Sequence, residues 1–126
     1  QMTSKTLKEI GKDFLTLCAS GHSREAFKLY VHTNFKHHNP FFKGDADSLM
    51  VAMEESSKEN PNRVFDIKHI IMDGDLVAYH SFIQQSNSDA GLAVVHILKF
   101  SQNKIIEMWD MHQQVPENMV NENGLF

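Results

Sequence analysis

The stretch that decides the fold is Lys99-Phe100-Ser101-Gln102-Asn103-Lys104-Ile105-Ile106-Glu107-Met108-Trp109-Asp110-Met111-His112-Gln113. Apolar residues alternate with polar residues on both sides of a polar centre, which predicts two antiparallel strands joined by a tight turn. Asp110 lies in the outgoing strand between Trp109 and Met111. Such a carboxylate either reaches water at the end of a strand or is held in a pocket for chemistry, and the strand pattern alone leaves both alternatives open.

The length of the turn decides which side chains share a face with Asp110. A loop of the two residues Gln102 and Asn103 would place His96 and Asp110 on opposite faces, whereas a loop of the three residues 101–103 would make them diagonal neighbours on one face. Asn103 favours the longer loop, because Asn tolerates the left-handed conformation that a three-residue loop with a bulge requires. We therefore predict that His96 approaches Asp110.

Composition indicates an ordinary globular protein. The chain has 126 residues, 41% of them hydrophobic and 22% charged, which predicts a single domain spanning residues 1–126. The net charge of −4 and the absence of a Lys/Arg cluster argue against a nucleic-acid partner. The apolar runs are too short to span a membrane, and no secretory pattern opens the chain. The single Cys18, on the apolar side of a helix pattern, cannot form an internal disulfide, so we expect a core thiol in a cytoplasmic protein.

Hydrophobic periodicity and breaker residues predict three helices followed by four strands. The helices are predicted at 4–19 with Thr3 or Ser4 as the cap, from Ser23 onward, and from Asp45 or Asp47 to Ser57. The strands are predicted at 64–72, 76–85, 92–101 and 104–113. Residues 33–42 are predicted to be irregular because Pro40 disfavours regular structure. Since helices and strands do not alternate, we predict an α+β domain with helices on one face of an antiparallel sheet.

The chain contains eight histidines, and two of them lie on strands of a predicted hairpin. Asp73-Gly74 predicts a two-residue loop that places His80 opposite Ile67, with His69 on the same face. A histidine among apolar neighbours has its pKa shifted by desolvation, which suits acid–base chemistry near neutral pH. Most strand histidines are nevertheless structural, and that alternative stays open for His69.

The remaining histidines carry weaker signals. His22, His32 and His37 are predicted to be solvated, and His112 to be structural. No spacing among the histidines matches a set of metal ligands, so no metal site is predicted. Trp109 is most simply a core or interface aromatic, and it is also a candidate for substrate contact.

Taken together, these elements resemble the SnoaL-like polyketide cyclase group of the nuclear transport factor 2-like superfamily. The matching segments, in order, are Tyr30, Phe35, His38-Asn39-Pro40, Gly44, Asp73-Gly74-Asp75-Leu76-Val77, Ala93-Val94-Val95-His96-Ile97-Leu98-Lys99-Phe100, Lys104-Ile105-Ile106-Glu107-Met108-Trp109-Asp110, Gln113 and Pro116-Glu117. The resemblance implies three helices packed on a curved antiparallel sheet, forming a cone with an internal pocket.

The resemblance also implies a function and a set of site residues. Characterised cyclases of the group carry out proton transfer without a cofactor, and Asp110 matches the strand carboxylate that acts as acid and base in an intramolecular aldol closure. His96 matches a pocket histidine on the neighbouring strand. His38 and Asn39 match a polar pair at the pocket mouth, while His80 is added as a candidate from strand parity alone.

Three hypotheses follow. The first is an enzyme that removes a proton next to the carbonyl of a small apolar compound, with Asp110 as the base, His96 and His80 assisting, and His38 and Asn39 holding the carbonyl. The second is a binding domain that holds an apolar ligand without catalysis. The third, compatible with both, is a homodimer formed through the outer sheet face, for which outward side chains of Ile105, Trp109 and Met111 would be suited.

Overall fold

The three predicted helices are present in the computed structural model, which describes residues 5–126. They are α1 (Leu7–Ala19), α2 (Ser23–Tyr30) and α3 (Ala46–Glu59). Thr6 caps α1 in a capping box, in which its side chain accepts from the Glu9 amide and Glu9 accepts from the Thr6 amide. Thr3 and Ser4, the predicted caps, lie outside the described residues. Asp45 caps α3 by accepting a hydrogen bond from the Ser48 amide at 2.9 Å.

The helices pack on a sheet of five strands, one more than predicted. The strands are β1 (Val31–His37), β2 (Val64–Asp73), β3 (Leu76–Gln84), β4 (Leu92–Ser101) and β5 (Lys104–Gln114), in the spatial order β1-β5-β4-β3-β2. The α+β class is therefore confirmed. The prediction of irregular structure from residue 33 was wrong, because β1 continues to His37 by pairing parallel with β5 and ends before Pro40.

The β4–β5 hairpin has a two-residue loop, so the predicted three-residue loop was wrong. Gln102 and Asn103 both have positive φ, 54° and 62°, as a type I′ turn requires. The register then shifts at Ile106, because Phe100 pairs with Ile105 whereas Lys99 pairs with Glu107. This bulge adds one residue to β5. Its consequence is that His96 pairs directly with Asp110 on the same face, although a short loop alone would have separated them.

The β2–β3 hairpin departs from its predicted register for a related reason. Its two loop residues are Gly74 and Asp75, because Asp73 already pairs with Leu76. His80 pairs with His69 and not with Ile67, which pairs with Ser81. The register shifts between these two pairs because Lys68 forms a second bulge.

The core lies between the helices and the inner face of the sheet, which is the face that they cover. Phe14, Leu98, Met108 and Ile105 have no exposed surface. The prediction that Ile105 points outward was wrong. The bulge at Ile106 interrupts the alternation of β5, so that Ile105 lies on the inner face although Glu107, Trp109 and Met111 lie on the outer face. Cys18 is also buried, and this burial raises the pKa of its thiol. Within residues 5–126, each helix is too short or too polar to cross a membrane.

Gly11 of α1 makes the close approach between this helix and the sheet possible. The Tyr79 ring lies where a Gly11 side chain would be: a Cβ atom there would be 2.0 Å from the Tyr79 hydroxyl oxygen and 2.6 Å from Cζ. The ring is fully buried, and its hydroxyl donates to the Lys8 carbonyl at 2.8 Å. The absence of a side chain at Gly11 therefore fixes the distance between α1 and β3.

We expect Gly11→Ala to destabilise the protein by about 1–3 kcal/mol, because the new methyl group displaces a buried ring. This loss opposes the gain of about 1 kcal/mol that Ala normally brings to a helix interior. Urea unfolding measures the net change in the free energy of unfolding. In a Tyr79→Leu background, which removes the clashing atoms, the same substitution should be stabilising. A loss of the same size in both backgrounds would contradict the packing argument.

Candidate functional site

Asp110 is held on the inner face of β5 by a side chain from the β1–α3 connection. The Asn39 amide Nδ2 donates to Asp110 Oδ2 at 3.0 Å. The orientation of the Asn39 amide is defined, because its Oδ1 accepts from the Phe41 backbone amide at 3.0 Å. Asp110 Oδ1 has no hydrogen-bond partner within residues 5–126. The carboxylate is thus fixed through one oxygen, while the other stays available.

His37 supports Asn39 from behind. Its Nδ1 accepts from the Asn39 backbone amide at 3.1 Å, and its Nε2 is 2.6 Å from the Lys43 carbonyl oxygen. Because a carbonyl can only accept and a backbone amide can only donate, the ring presents an N–H at Nε2 and a lone pair at Nδ1. His37 is 6% exposed, so the prediction that it is solvated was wrong. Through these two contacts, the buried ring links strand β1 to the β1–α3 connection, which carries Asn39.

His96 faces Asp110 from β4 and is almost fully enclosed, with 8% of its surface exposed. Burial lowers the pKa of His96 to about 4, against the opposing effect of the Asp110 charge, so the ring is neutral at pH 7. Its Nδ1 is buried and makes no hydrogen bond with the described residues. The ring can therefore meet a ligand only through Nε2.

Asn39, His96 and Asp110 line one cavity of about 340 Å³ between the helices and the inner sheet face. Most of the remaining lining is apolar: Leu15, Cys18, Ala19, Phe41, Phe42, Met53, Phe65, Ile83, Leu92 and Val94. Phe41 is 74% exposed and Phe42 is 45% exposed, so two aromatic side chains lie at the opening of the cavity. An apolar cavity with a few convergent polar groups is typical of a small-molecule site.

His38 and Trp109 lie on the opposite, outer face of the sheet. Their rings stack at a centroid distance of 5.0 Å, and His38 Nε2 is 2.6 Å from a Glu107 carboxylate oxygen. The side-chain alternation of β1 continues through residue 39, so that His37 and Asn39 point inward and His38 points outward. The expectation that His38 and Trp109 contact the substrate in the cavity was therefore wrong.

His80 also lies on the outer face, because its neighbours Tyr79 and Ser81 point into the core. Its Nδ1 is 2.9 Å from His69 Nδ1, and its ring stacks on Phe126 at 5.4 Å. Strand parity is correct in placing His69 and His80 together, but the face that they share is not the face of Asp110. His80 is therefore not part of the candidate site.

Four further polar residues of the cavity were not among the expected site residues: Ser56, Arg63, Gln85 and His112. His112 lies two residues after Asp110 on the same face of β5, which strand alternation could have indicated. Arg63 lies directly before β2 and reaches the cavity from the turn after α3, a position that no sequence pattern marked. Within the described part of the chain, no three His, Cys, Asp or Glu side chains converge as ligands for a metal ion.

Solved structures with this architecture define the class of fold. An NTF2-like protein of unknown function from Cytophaga hutchinsonii is 15% identical, with 90% of this chain and 95% of that chain covered at a TM-score of 0.71. A candidate polyketide cyclase from Bacillus cereus is 20% identical, covering 86% of this chain and 75% of that chain at a TM-score of 0.73. A second candidate polyketide cyclase, from Acidithiobacillus ferrooxidans, is 18% identical, with 89% of this chain and 92% of that chain covered at a TM-score of 0.69. The fold is nuclear transport factor 2-like.

The family follows from the sequence itself. The model of the SnoaL-like polyketide cyclase family matches residues 11–117, and the chain belongs to that family. No curated protein matches the chain. The family assignment confirms the predicted resemblance.

Proposed function

We propose that this protein catalyses proton transfer next to the carbonyl group of a small, largely apolar compound, with Asp110 as the base. The observation that carries the proposal is the hydrogen bond from Asn39 to one oxygen of Asp110, inside an apolar cavity and directly opposite a neutral His96. Family membership supports it, since polyketide cyclisation requires a carbon acid to lose a proton.

The proposed first step is removal of the carbon-bound proton by Asp110. Asn39 holds Oδ2, so the proton is taken by the free Oδ1, which leaves a neutral carboxylic acid and an enolate. Because the Asn39 amide is itself fixed by the Phe41 backbone, the carboxylate does not have to be ordered when the substrate binds. The same oxygen then returns the proton to carbon or to the aldol oxygen.

His96 is the proposed partner of the enolate oxygen. Nδ1 is fully buried, which leaves Nε2 as the nitrogen that a ligand can reach, and a neutral imidazole protonated at Nε2 donates one hydrogen bond there. Donation from Nε2 stabilises negative charge as it develops, without placing a full positive charge next to Asp110 in the ground state. His96 thus acts as an electrophile, and Asp110 is the group that moves the proton.

The proposal is tested by following deuterium exchange from solvent into the carbon adjacent to the carbonyl of small apolar ketones such as 2-tetralone. The wild-type protein should accelerate the exchange, and Asp110→Asn should remove the acceleration. If the wild-type protein binds such ketones without accelerating exchange, the cavity belongs to a binding domain.

We further propose that the chain forms a homodimer through the outer face of the sheet. Met111 is 52% exposed on this face, two residues from Trp109 of the Trp109–His38 stack, and Ile71 of β2 is 67% exposed on the same face. An apolar surface of this kind is costly to leave in water. In sedimentation experiments, Met111→Lys should shift the protein toward the monomer. Val51→Lys, at an exposed position of α3, is the control and should leave the oligomeric state unchanged. A wild-type monomer at high concentration would contradict the dimer.

A further inference from the structure

Arg63 is a cation at the end of the cavity away from Asp110. It lies directly before β2, whereas Asp110 is on β5, and strands β4 and β3 separate these two strands in the sheet. Both residues line the same cavity, with apolar side chains such as Phe65, Ile83 and Val94 also in the lining. The cavity therefore carries polar groups near two strands of the sheet, Asp110 on β5 and Arg63 beside β2.

The acceptors that hold Arg63 are all uncharged. Its Nε donates to Gln85 Oε1 at 2.7 Å, and Nη2 donates to the Ser56 hydroxyl. Nη1 lies 3.3 Å from the Ser57 hydroxyl and 3.4 Å from the Ala19 carbonyl. Within residues 5–126, no carboxylate is within 4.0 Å of the guanidinium. Burial lowers the pKa of Arg63, but a guanidinium stays charged at neutral pH.

This arrangement leaves hydrogen-bond donors without acceptors in residues that line the cavity. Gln85 uses its amide oxygen on Arg63, which leaves its Nε2 hydrogens unused. Ser56 uses its oxygen as an acceptor, which leaves its hydroxyl hydrogen unused. Both residues line the cavity, and neither group has an acceptor among the described residues. Together with the remaining Nη2 hydrogen, they form a site of donors around one positive charge.

We propose that this cluster of Arg63, Ser56 and Gln85 binds a carboxylate carried by the substrate. A carboxylate supplies only acceptors and a negative charge, which is what the cluster lacks, and its planar oxygens suit a guanidinium. The substrate is therefore an apolar keto acid, with its ketone at Asp110 and its carboxylate at Arg63. This inference extends the proposed function by naming its substrate class.

Binding of a matched pair of probes tests the inference without catalysis. The probes are 2-naphthoate and its methyl ester, neither of which has an exchangeable proton next to its carbonyl, and calorimetry measures their affinities. Wild-type protein should bind the acid at least tenfold more tightly than the ester. Arg63→Gln should weaken acid binding roughly 10- to 100-fold, the usual range for lost charged hydrogen bonds, and leave ester binding unchanged.

Arg24→Gln is the matched control, since it removes the same charge from an exposed arginine paired with Glu54 on the helical surface. If Arg63→Gln does not fold, Ser56→Ala and Arg63→Lys replace it, and each should selectively weaken acid binding. Equal wild-type affinity for acid and ester would overturn the inference, as would equal losses in Arg63→Gln and Arg24→Gln. If the protein prefers the acid but does not catalyse exchange, the carboxylate site is retained and the proposed function is rejected. If it catalyses exchange but binds acid and ester equally, the proposed function is retained and the carboxylate site is rejected.

Discussion

Replacing Asp110 with Asn should reduce the rate of solvent exchange into a bound ketone by roughly 10²–10⁴-fold, the usual contribution of a general base. The amide has the same shape as the carboxylate but cannot accept the proton. Because the Asn39 amide can still donate to the carbonyl oxygen of the new side chain, the local structure should be preserved. Proton NMR of the ketone in D₂O measures the rate.

Glu107→Gln is the matched control for this substitution. It removes the same charge from the same strand, but Glu107 lies on the outer face against His38 and does not reach the cavity. Its exchange rate should equal that of the wild-type protein. Undiminished exchange in Asp110→Asn would exclude Asp110 as the base, whatever the control shows.

Acidification should destabilise the protein through His96. The unfolded state binds a proton on this residue near pH 6.5, whereas the folded state binds it only near pH 4, because the ring is buried. Between these values the unfolded state holds more protons, so the free energy of unfolding falls as the pH falls. The loss begins near pH 6.5 and is complete near pH 4, where it amounts to roughly 3 kcal/mol.

Urea unfolding of wild-type protein and His96→Gln across this pH range measures the effect. The variant lacks the titrating group, so its unfolding free energy should fall less steeply with acidification. His22→Gln is the control, because His22 is exposed and makes no capping hydrogen bond, and it should retain the wild-type slope. Equal slopes in wild-type protein and His96→Gln would show that His96 does not cause the acid sensitivity.

Local patterns were enough to predict the three helices and four of the five strands. Each of these elements has a periodicity, a cap or a turn residue within its own segment, and such signals do not depend on the rest of the chain. Strand β1 was missed because its stability comes from pairing with β5, which lies far along the chain. The outward position of His38 was missed for the same reason, since strand alternation could not be applied to a segment read as irregular.

The sequence by itself predicted Asp110 and Asn39 as residues of a candidate site. A carboxylate in an apolar strand indicated Asp110, and the family resemblance indicated both. Only the tertiary structure decided how they meet. The two-residue loop at Gln102 and Asn103 would have separated Asp110 from His96, and the bulge at Ile106 restores the pairing. A bulge depends on the neighbouring strand, and a cavity depends on elements distant in sequence. Neither the bulge nor the cavity has a signal in the local sequence. For the same reason, only the folded structure identifies Arg63 as a residue of the cavity.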